Sequence, residues 1–497
     1  MNFAILPDTG GLEAGRHNPV TRIRVVDIDS EVIMYQSSIM RKSMLATVLA
    51  LSWPTILEQL LTTIIQYVDT AMVGQIGATA SAVVGLSMPV GWLIISPMIA
   101  AGTACLVVLS KALGEGNTEK VRTVANQSFI IILILAAVEG IITLAVSPFF
   151  PAWMDAEETI HRDASLYFAI VCAPMFFRVM ITVGGMVIRA TGDTKTPMLI
   201  NVLMNLLNIL INYFLINPSH TVIIRGRELY IPGTGWGAVG AGVATAISFV
   251  FGGTLMLIAF CRNQRLGFRF KKLRYHSGTM SDCIRLAMPL GITRVITGAG
   301  YVVFSGMVSG LGTVAFAAHS IANTAESLFY IPGYGMQSAA STIAGYAWGR
   351  NDRKLYFSAV KTCVLVVTVL MSLSGGFLFL FAEPLMDFFS NDREVIRQGV
   401  QVLRIVSLTE PFFGAGVVMT GLYNGVGITK FPLVIEISTM WIVRILLTYI
   451  CVNHLGCGLV AVWYCMVANN IIMTVIFAVR MFLPGVFREA EEQPKNP

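Results

Sequence analysis

The sequence predicts an all-α polytopic membrane protein, with twelve transmembrane helices in two parallel six-helix repeats. Three observations carry this. First, 55% of the 497 residues are hydrophobic and 12% are charged, against about 25% charged in a soluble chain. The apolar residues come in runs long enough for a bilayer, which needs about 20 each. Second, residues 54–117 and 289–352 are one segment written twice, 235 positions apart and without a gap. Pro54 meets Pro289, Gly77 meets Gly312, Pro97 meets Pro332 and Gly114 meets Gly349; further on, Thr194-Lys195-Thr196-Pro197 meets Thr429-Lys430-Phe431-Pro432. Third, Lys and Arg gather in alternate loops, the bias that fixes orientation.

The elements follow in order. Residues 1–42 are polar and read as a cytoplasmic tail without a cleavable signal peptide. Spans are expected near 43–72, 79–112, 121–148, 163–190, 196–216, 236–261, 282–309, 314–348, 357–382, 399–424, 431–453 and 458–483. The second and eighth are over-long, and each holds a proline (Pro97, Pro332) at which a helix can bend. Residues 43–261 form the first lobe and 282–483 the second, joined by a basic linker, 262–281; 484–497 form a second tail. With both termini inside, the cytoplasmic loops hold Lys111, Lys120, Arg122, Arg189, Arg269, Lys271, Lys272, Arg353 and Lys354, whereas Arg162, Arg225 and Arg227 lie outside with acids such as Asp155 and Glu157. Six spans per half means that both repeats enter in one orientation, as in transporters built from parallel repeats.

Polar residues inside the spans are costly and therefore informative. In the first span Thr62, Gln66 and Asp69 share a face with Glu58. In the fifth, Asn201, Asn205, Asn208 and Asn212 recur at i, i+4, i+7, i+11. These amides read either as glue between helices or as oxygen ligands and relay partners for Asp69. The duplicated copy has Phe304 where the first has Asp69, so the repeat itself does not demand an acid. The sixth span opens with small residues, Gly235 to Thr245, which let backbones approach. In the second half Glu326 has no counterpart (Gly91 aligns with it) and is a candidate for a cavity-lining acid, with Tyr301 and Tyr330 nearby in the pattern. Glu436 and Arg444 lie two turns apart and are expected to neutralise each other.

The eight cysteines have no CxxC spacing and read as small apolar residues; Cys451 and Cys457 flank a short turn and are read as free thiols. No basic run interleaves with aromatics, so nucleic acid is not expected as a partner. HExxH, GxSxG and GxxxxGK[ST] are all absent, so no enzyme or ATP-driven pump is expected.

With these residues in hand, the chain resembles the MATE (multidrug and toxic compound extrusion) family over roughly residues 43–483. The carrying pieces are Trp53-Pro54, VDTAMVG (68–74), RATGDTKTP (189–197), NLLNILINY (205–213) and GAGVAT (240–245). The resemblance implies an antiporter whose two repeats form a V-shaped pair of lobes and that expels organic cations and other amphipathic compounds in exchange for H⁺ or Na⁺, without an organic cofactor. It implies a multi-pass monomer of the cell membrane whose partners are its small-molecule substrate and lipid. The family's aspartate on the first span matches Asp69, its asparagine on the fifth matches Asn208, and its threonine on the sixth matches Thr245, with the carbonyl of Ala241 beside it. Where a second acid is common this chain has Asn212, and it lacks the acid some members carry on the seventh span. This is the pattern of the type whose cation site lies in the first lobe: Asp69, Gln66, Asn208, Asn212, Ala241 and Thr245, with Na⁺ one candidate ion. Glu326, Tyr301, Tyr330 and Asn205 are the expected substrate-cavity residues. A flippase of a related two-lobed fold, moving a lipid-linked amphiphile, is the competing expectation.

Overall fold

A computed structural model describes residues 43–154, 156–224 and 227–482; both expected tails, and Asp155 and Arg225, lie outside these. Among the described residues nine helices are long and apolar enough to cross a membrane, and two further spans are bent pairs. The remaining span, eighth in order, is the pair Thr313–Ser327 and Ile331–Gly349. The spans thus follow the expected order, from Met44–Gly74 to Leu459–Phe482.

Local sequence explains the ends and breaks. The Ser43 hydroxyl caps the first span by accepting from Ala46 N at 3.3 Å. That helix runs unbroken through Pro54. The second span, Ala78–Gly114, likewise runs through Pro97 as one helix. The eighth does break, at residues 328–330, and Pro332 lies in the first turn of the helix that follows. There a missing amide costs nothing, because first-turn N–H groups have no partner in the helix. The fourth and tenth spans bend by 57° and 54°, between Cys172 and Met175 and between Ser407 and Glu410. These breaks are 235 positions apart, so the bend belongs to the repeat.

One element departs from the all-helical expectation. Residues Pro218–Ile224 and Arg227–Thr234 pair as an antiparallel hairpin between the fifth and sixth spans. This hairpin and the linker mark opposite faces of the molecule. On the linker face, Asn126 donates to Lys272 O at 3.1 Å and Gln127 to Arg274 O at 2.7 Å. Phe268 and Phe270 pack on Phe129, so the linker is strapped beneath the third span.

The two halves have separate buried cores, with two exceptions that join them: Val48 and Leu51 of the first span sit in the core of the second half, and Cys283 of the seventh in that of the first. The halves meet through the first and second spans on one side and the seventh and eighth on the other. At the linker face the second and eighth spans end on a glycine pair; a Cβ on Gly114 would lie 3.0 Å from the Cα of Gly349. No larger residue fits either position, which lets the backbones touch and closes the linker face between the halves.

Candidate ion and substrate site

The fifth and sixth spans approach closely because of the glycines that open the sixth. A Cβ on Gly240 would lie 2.5 Å from the carbonyl oxygen of Leu215, and one on Gly242 would lie 3.0 Å from the ring of Tyr167. The close approach brings Thr245 to the asparagine face of the fifth span. Asn208 and Asn212 are buried there, 5% and 2% exposed, and the first span presents Asp69 to them.

Asn212 Nδ2 donates to Asp69 Oδ1 at 2.9 Å and to Asn208 Oδ1 at 3.1 Å. The Asn208 amide has two workable orientations, since its oxygen and nitrogen are near-isosteric. In one, Nδ2 donates to Thr245 Oγ1 at 3.3 Å. In the other, which satisfies both amide atoms, it donates to both oxygens of Asp69, at 2.9 and 3.1 Å, the amide oxygen accepts from Thr245 N at 3.3 Å, and the bond from Asn212 to Asn208 Oδ1 is given up. The Thr245 hydroxyl donates to the Ala241 carbonyl at 2.9 Å. Asn212 Oδ1 is buried and accepts no hydrogen bond. Asp69, Asn208, Asn212, Thr245 and Ala241 therefore form one connected group, with amide, hydroxyl and carbonyl oxygens around a single carboxylate. Tyr167 of the fourth span is close enough to feel the Asp69 charge. Gln66 is exposed on the first span and Asn205 half-buried on the fifth.

Other expected residues lie elsewhere. Asn201 does not serve Asp69: its Nδ2 donates to Glu58 at 2.7 Å, and Arg189 Nη2 reaches both oxygens of Glu58 at 2.6 and 2.7 Å. Arg189, at the cytoplasmic end of the expected fourth span, lies in the last turn of a helix, Gly185–Ala190.

In the second half, Glu326 is fully buried, so in this state it does not line an open cavity. It sits in the last turn before the break in the eighth span, and Glu410 is the first residue after the break in the tenth. Glu410 is near enough to feel the charge of Glu326, and Tyr330 is near enough to feel both. The Tyr330 ring packs on Phe413 with centroids 4.5 Å apart. Tyr301 is 53% exposed.

The expected neutralisation of Glu436 by Arg444 does not form. Glu436 accepts from the Thr420 hydroxyl at 2.9 Å, while the Arg444 guanidinium lies 4.2 Å from the centroid of Phe304 and 4.8 Å from that of Tyr301. Thr439–Leu446 is a π-helix, whose wider turn rotates Arg444 away from the face that α-helical spacing assigns it.

Sequence reasoning did not single out the Glu139–Arg178 neighbourhood between the third and fourth spans, nor Tyr167. Nothing in the spacing of either marks it. All eight cysteines, Cys451 and Cys457 among them, are free.

The family model described as MatE matches residues 54–214 and 289–450, one stretch in each half, beginning 235 positions apart. The chain belongs to the MATE family. The stretches contain Asp69 and Asn208 in the first half and Glu326 and Glu410 in the second. A probable multidrug resistance protein NorM of Thermotoga maritima is 28% identical over 443 residues, 88% of this chain and 91% of the relative. The probable multidrug resistance protein YoeA of Bacillus subtilis is 24% identical over 82% of this chain and 87% of the relative. A MOP superfamily transporter from Pyrococcus furiosus superposes with a TM-score of 0.82 at 21% identity, over 90% of this chain and 98% of that one. A MATE transporter described in an outward-facing conformation superposes with a TM-score of 0.81. This MATE chain is thus a multi-pass, two-lobed transporter.

Proposed function

We propose that this MATE protein exports organic cations or amphipathic drugs across the cell membrane as a monomer, in exchange for H⁺ or Na⁺ bound at Asp69. Lipid is its only other partner, and no cofactor takes part. The linker face is cytoplasmic in this reading, as are both tails, 1–42 and 484–497; the lobes are 43–261 and 282–483. The supporting observation is the placement of Asp69. A carboxylate in the outer part of a span, held by Asn212 and within reach of Asn208, costs energy to insert, and its own repeat replaces it with Phe304.

A bare Asp69 calls for donors, and both asparagines can supply their NH₂ groups. A proton or Na⁺ at Asp69 reverses that demand. The Asn208 amide then turns its oxygen inward, and the unpartnered Asn212 oxygen becomes a ligand for Na⁺, a hard cation that prefers oxygen. Ion loading thus repacks the first, fifth and sixth spans, and differential affinity of the two packings for the drug supplies the exchange. Tyr301, Tyr330 and Asn205 face the cargo, with Glu326 enclosed behind Tyr330.

The test is efflux of a fluorescent cation from cells under an imposed Na⁺ or pH gradient, with Asp69→Asn beside wild type. Loss of gradient-driven efflux with normal membrane levels is expected. Wild-type efflux by Asp69→Asn would place the coupling site in the other lobe.

A further inference from the structure

The first and fifth spans carry a second acid–asparagine rung that the proposed exchange leaves unused. Asn212 donates to Asp69, and Asn201 donates to Glu58; in both pairs the partners are 143 positions apart. The two spans run in the same direction, so the rungs are one arrangement repeated after eleven residues, about 16 Å along the groove. Thr62 and Gln66 of the first span, and Asn205 and Asn208 of the fifth, lie between them. The outer rung is near the hairpin face. The inner rung is two turns inside the start of the fifth span, towards the linker face.

The rungs differ in one component. At the inner rung a cation is already present: Arg189, from the last turn of the fourth span, closes on both Glu58 oxygens. Arg189 and Glu58 are 12% and 10% exposed at their side chains. A buried ion pair of this kind is a weak source of stability, because desolvation offsets the attraction. It is, however, a means of holding a site shut with a charge that a mobile cation can replace. The same stretch of the first span is the piece that bridges the halves. Thr55, one turn before Glu58, donates to the Gly335 carbonyl at 2.5 Å, and Val48 and Leu51 are in the core of the second half.

We propose that Glu58 and Asn201 form the inner, release-side station for the coupling ion, with Arg189 as its resident cation. This rests on the reading of Asp69 as the loading site. A cation passing down the groove from Asp69 takes the place of the Arg189 guanidinium on the Glu58 carboxylate. If the ion is a proton, it moves onto a Glu58 oxygen, the carboxylate becomes neutral and the bridge to Arg189 loses its charge attraction. If it is Na⁺, the Asn201 amide turns its oxygen towards it. Either way the first span is freed from the fourth, the contact at Gly335 opens, and the ion leaves to the linker face while Arg189 returns.

The test uses the full chain in proteoliposomes, with four variants beside wild type: Asp69→Asn, Glu58→Gln with Arg189→Gln, the charge exchange Glu58→Arg with Arg189→Glu, and Asn201→Ala. The neutral pair removes both charges together, so it folds without a stranded ion. Gradient-driven uphill export is measured with a Na⁺ gradient at constant pH and with a pH gradient free of Na⁺; whichever gradient drives wild type identifies the ion. Drug-for-drug exchange without a gradient is the second readout. The neutral pair is expected to keep exchange within about twofold of wild type and to lose at least tenfold in uphill export. The charge exchange, which rebuilds an ion pair but moves the carboxylate to the fourth span, is expected not to restore it. Asn201→Ala is expected to lose part of the uphill rate. If Asp69→Asn is inactive while the neutral pair or the charge exchange exports uphill at the wild-type rate, Glu58 and Arg189 are a structural brace and the inner station is wrong. If Asp69→Asn itself exports uphill at the wild-type rate, the loading site is wrong and the inner station falls with it.

Discussion

Thr55 and Gly335 join the two halves of the molecule: the threonine hydroxyl donates to the glycine carbonyl at 2.5 Å, in a buried contact between the first and eighth spans. Gly335 permits this because it has no side chain; a Cβ there would lie 2.6 Å from Ile56 Cγ1 and 2.8 Å from its Cα. Gly335→Val is therefore expected to push the halves apart at the linker face. Overpacking of this kind costs about 1–3 kcal/mol, which shifts the balance of states by roughly five- to 150-fold. Cysteines at Lys111 and Arg350, in a background lacking the native cysteines, should cross-link readily in the parent and poorly in Gly335→Val. Equal cross-linking would mean that the closed face does not depend on this contact.

Asn212 offers a way to tell the two candidate ions apart. Asn212→Ala removes the 2.9 Å donor to Asp69 and the free amide oxygen beside it. A hydrogen bond to a charged group is worth about 1.5–3 kcal/mol. If the ion is a proton, a carboxylate that has lost a donor holds that proton more tightly, and half-maximal transport moves to higher pH. If the ion is Na⁺, a ligand is lost and the half-saturating Na⁺ concentration rises, by roughly tenfold or more. Asn208→Ala should move the same quantity less, since Asn212 remains in place. Titrating efflux rate against pH and against Na⁺ separates the cases; no movement in either would remove Asn212 from the site.

Glu326 is fully buried, so the proposed reading has it act on cargo through its field and not by contact. Glu326→Gln is expected to slow export of a cationic drug by roughly three- to tenfold, the scale of a charge acting across several ångströms of protein. A neutral drug of similar size should be exported as before. Equal loss for both drugs would assign Glu326 a purely structural part.

Orientation is tested at the two faces. Tyr230, on the hairpin, is 66% exposed, and Arg269 lies in the exposed linker. Single cysteines at these positions should react with a membrane-impermeant maleimide from opposite sides of intact cells, position 230 from outside. Reaction of both from outside would invert the expected topology of the linker.

The duplication, the order of spans and the acid and asparagine stripes are legible in the sequence because each is a periodicity, and a period survives without knowledge of tertiary packing. Partner choice is not legible in this way. The stripe containing Glu58 was visible, but its ion pair with Arg189 joins residues 131 positions apart and depends on how the fourth span ends. The Glu436–Arg444 expectation failed for a related reason: α-helical spacing was applied across a segment that folds as a π-helix. The hairpin at Pro218–Thr234 was read as loop because two short strands between spans leave too weak an alternation to stand out. The bends of the fourth and tenth spans carry no common residue at the break, Pro174 aligning with Thr409, and only superposing the repeats reveals them.

The Arg444 guanidinium lies 4.2 Å from the centroid of the Phe304 ring, which sets the two copies of the duplicated segment apart chemically. Phe304 is the counterpart of Asp69, and Arg444 is the counterpart of Ile209, next to Asn208. The second lobe thus keeps a permanent, covalently tethered cation against an arene in the place where the first lobe has an acid and amides. One copy is a socket, and in the other the socket has been filled. On the proposed reading, an external ion is answered at Asp69 and not at Phe304, so two halves of the same ancestry meet the same ion with opposite chemistry.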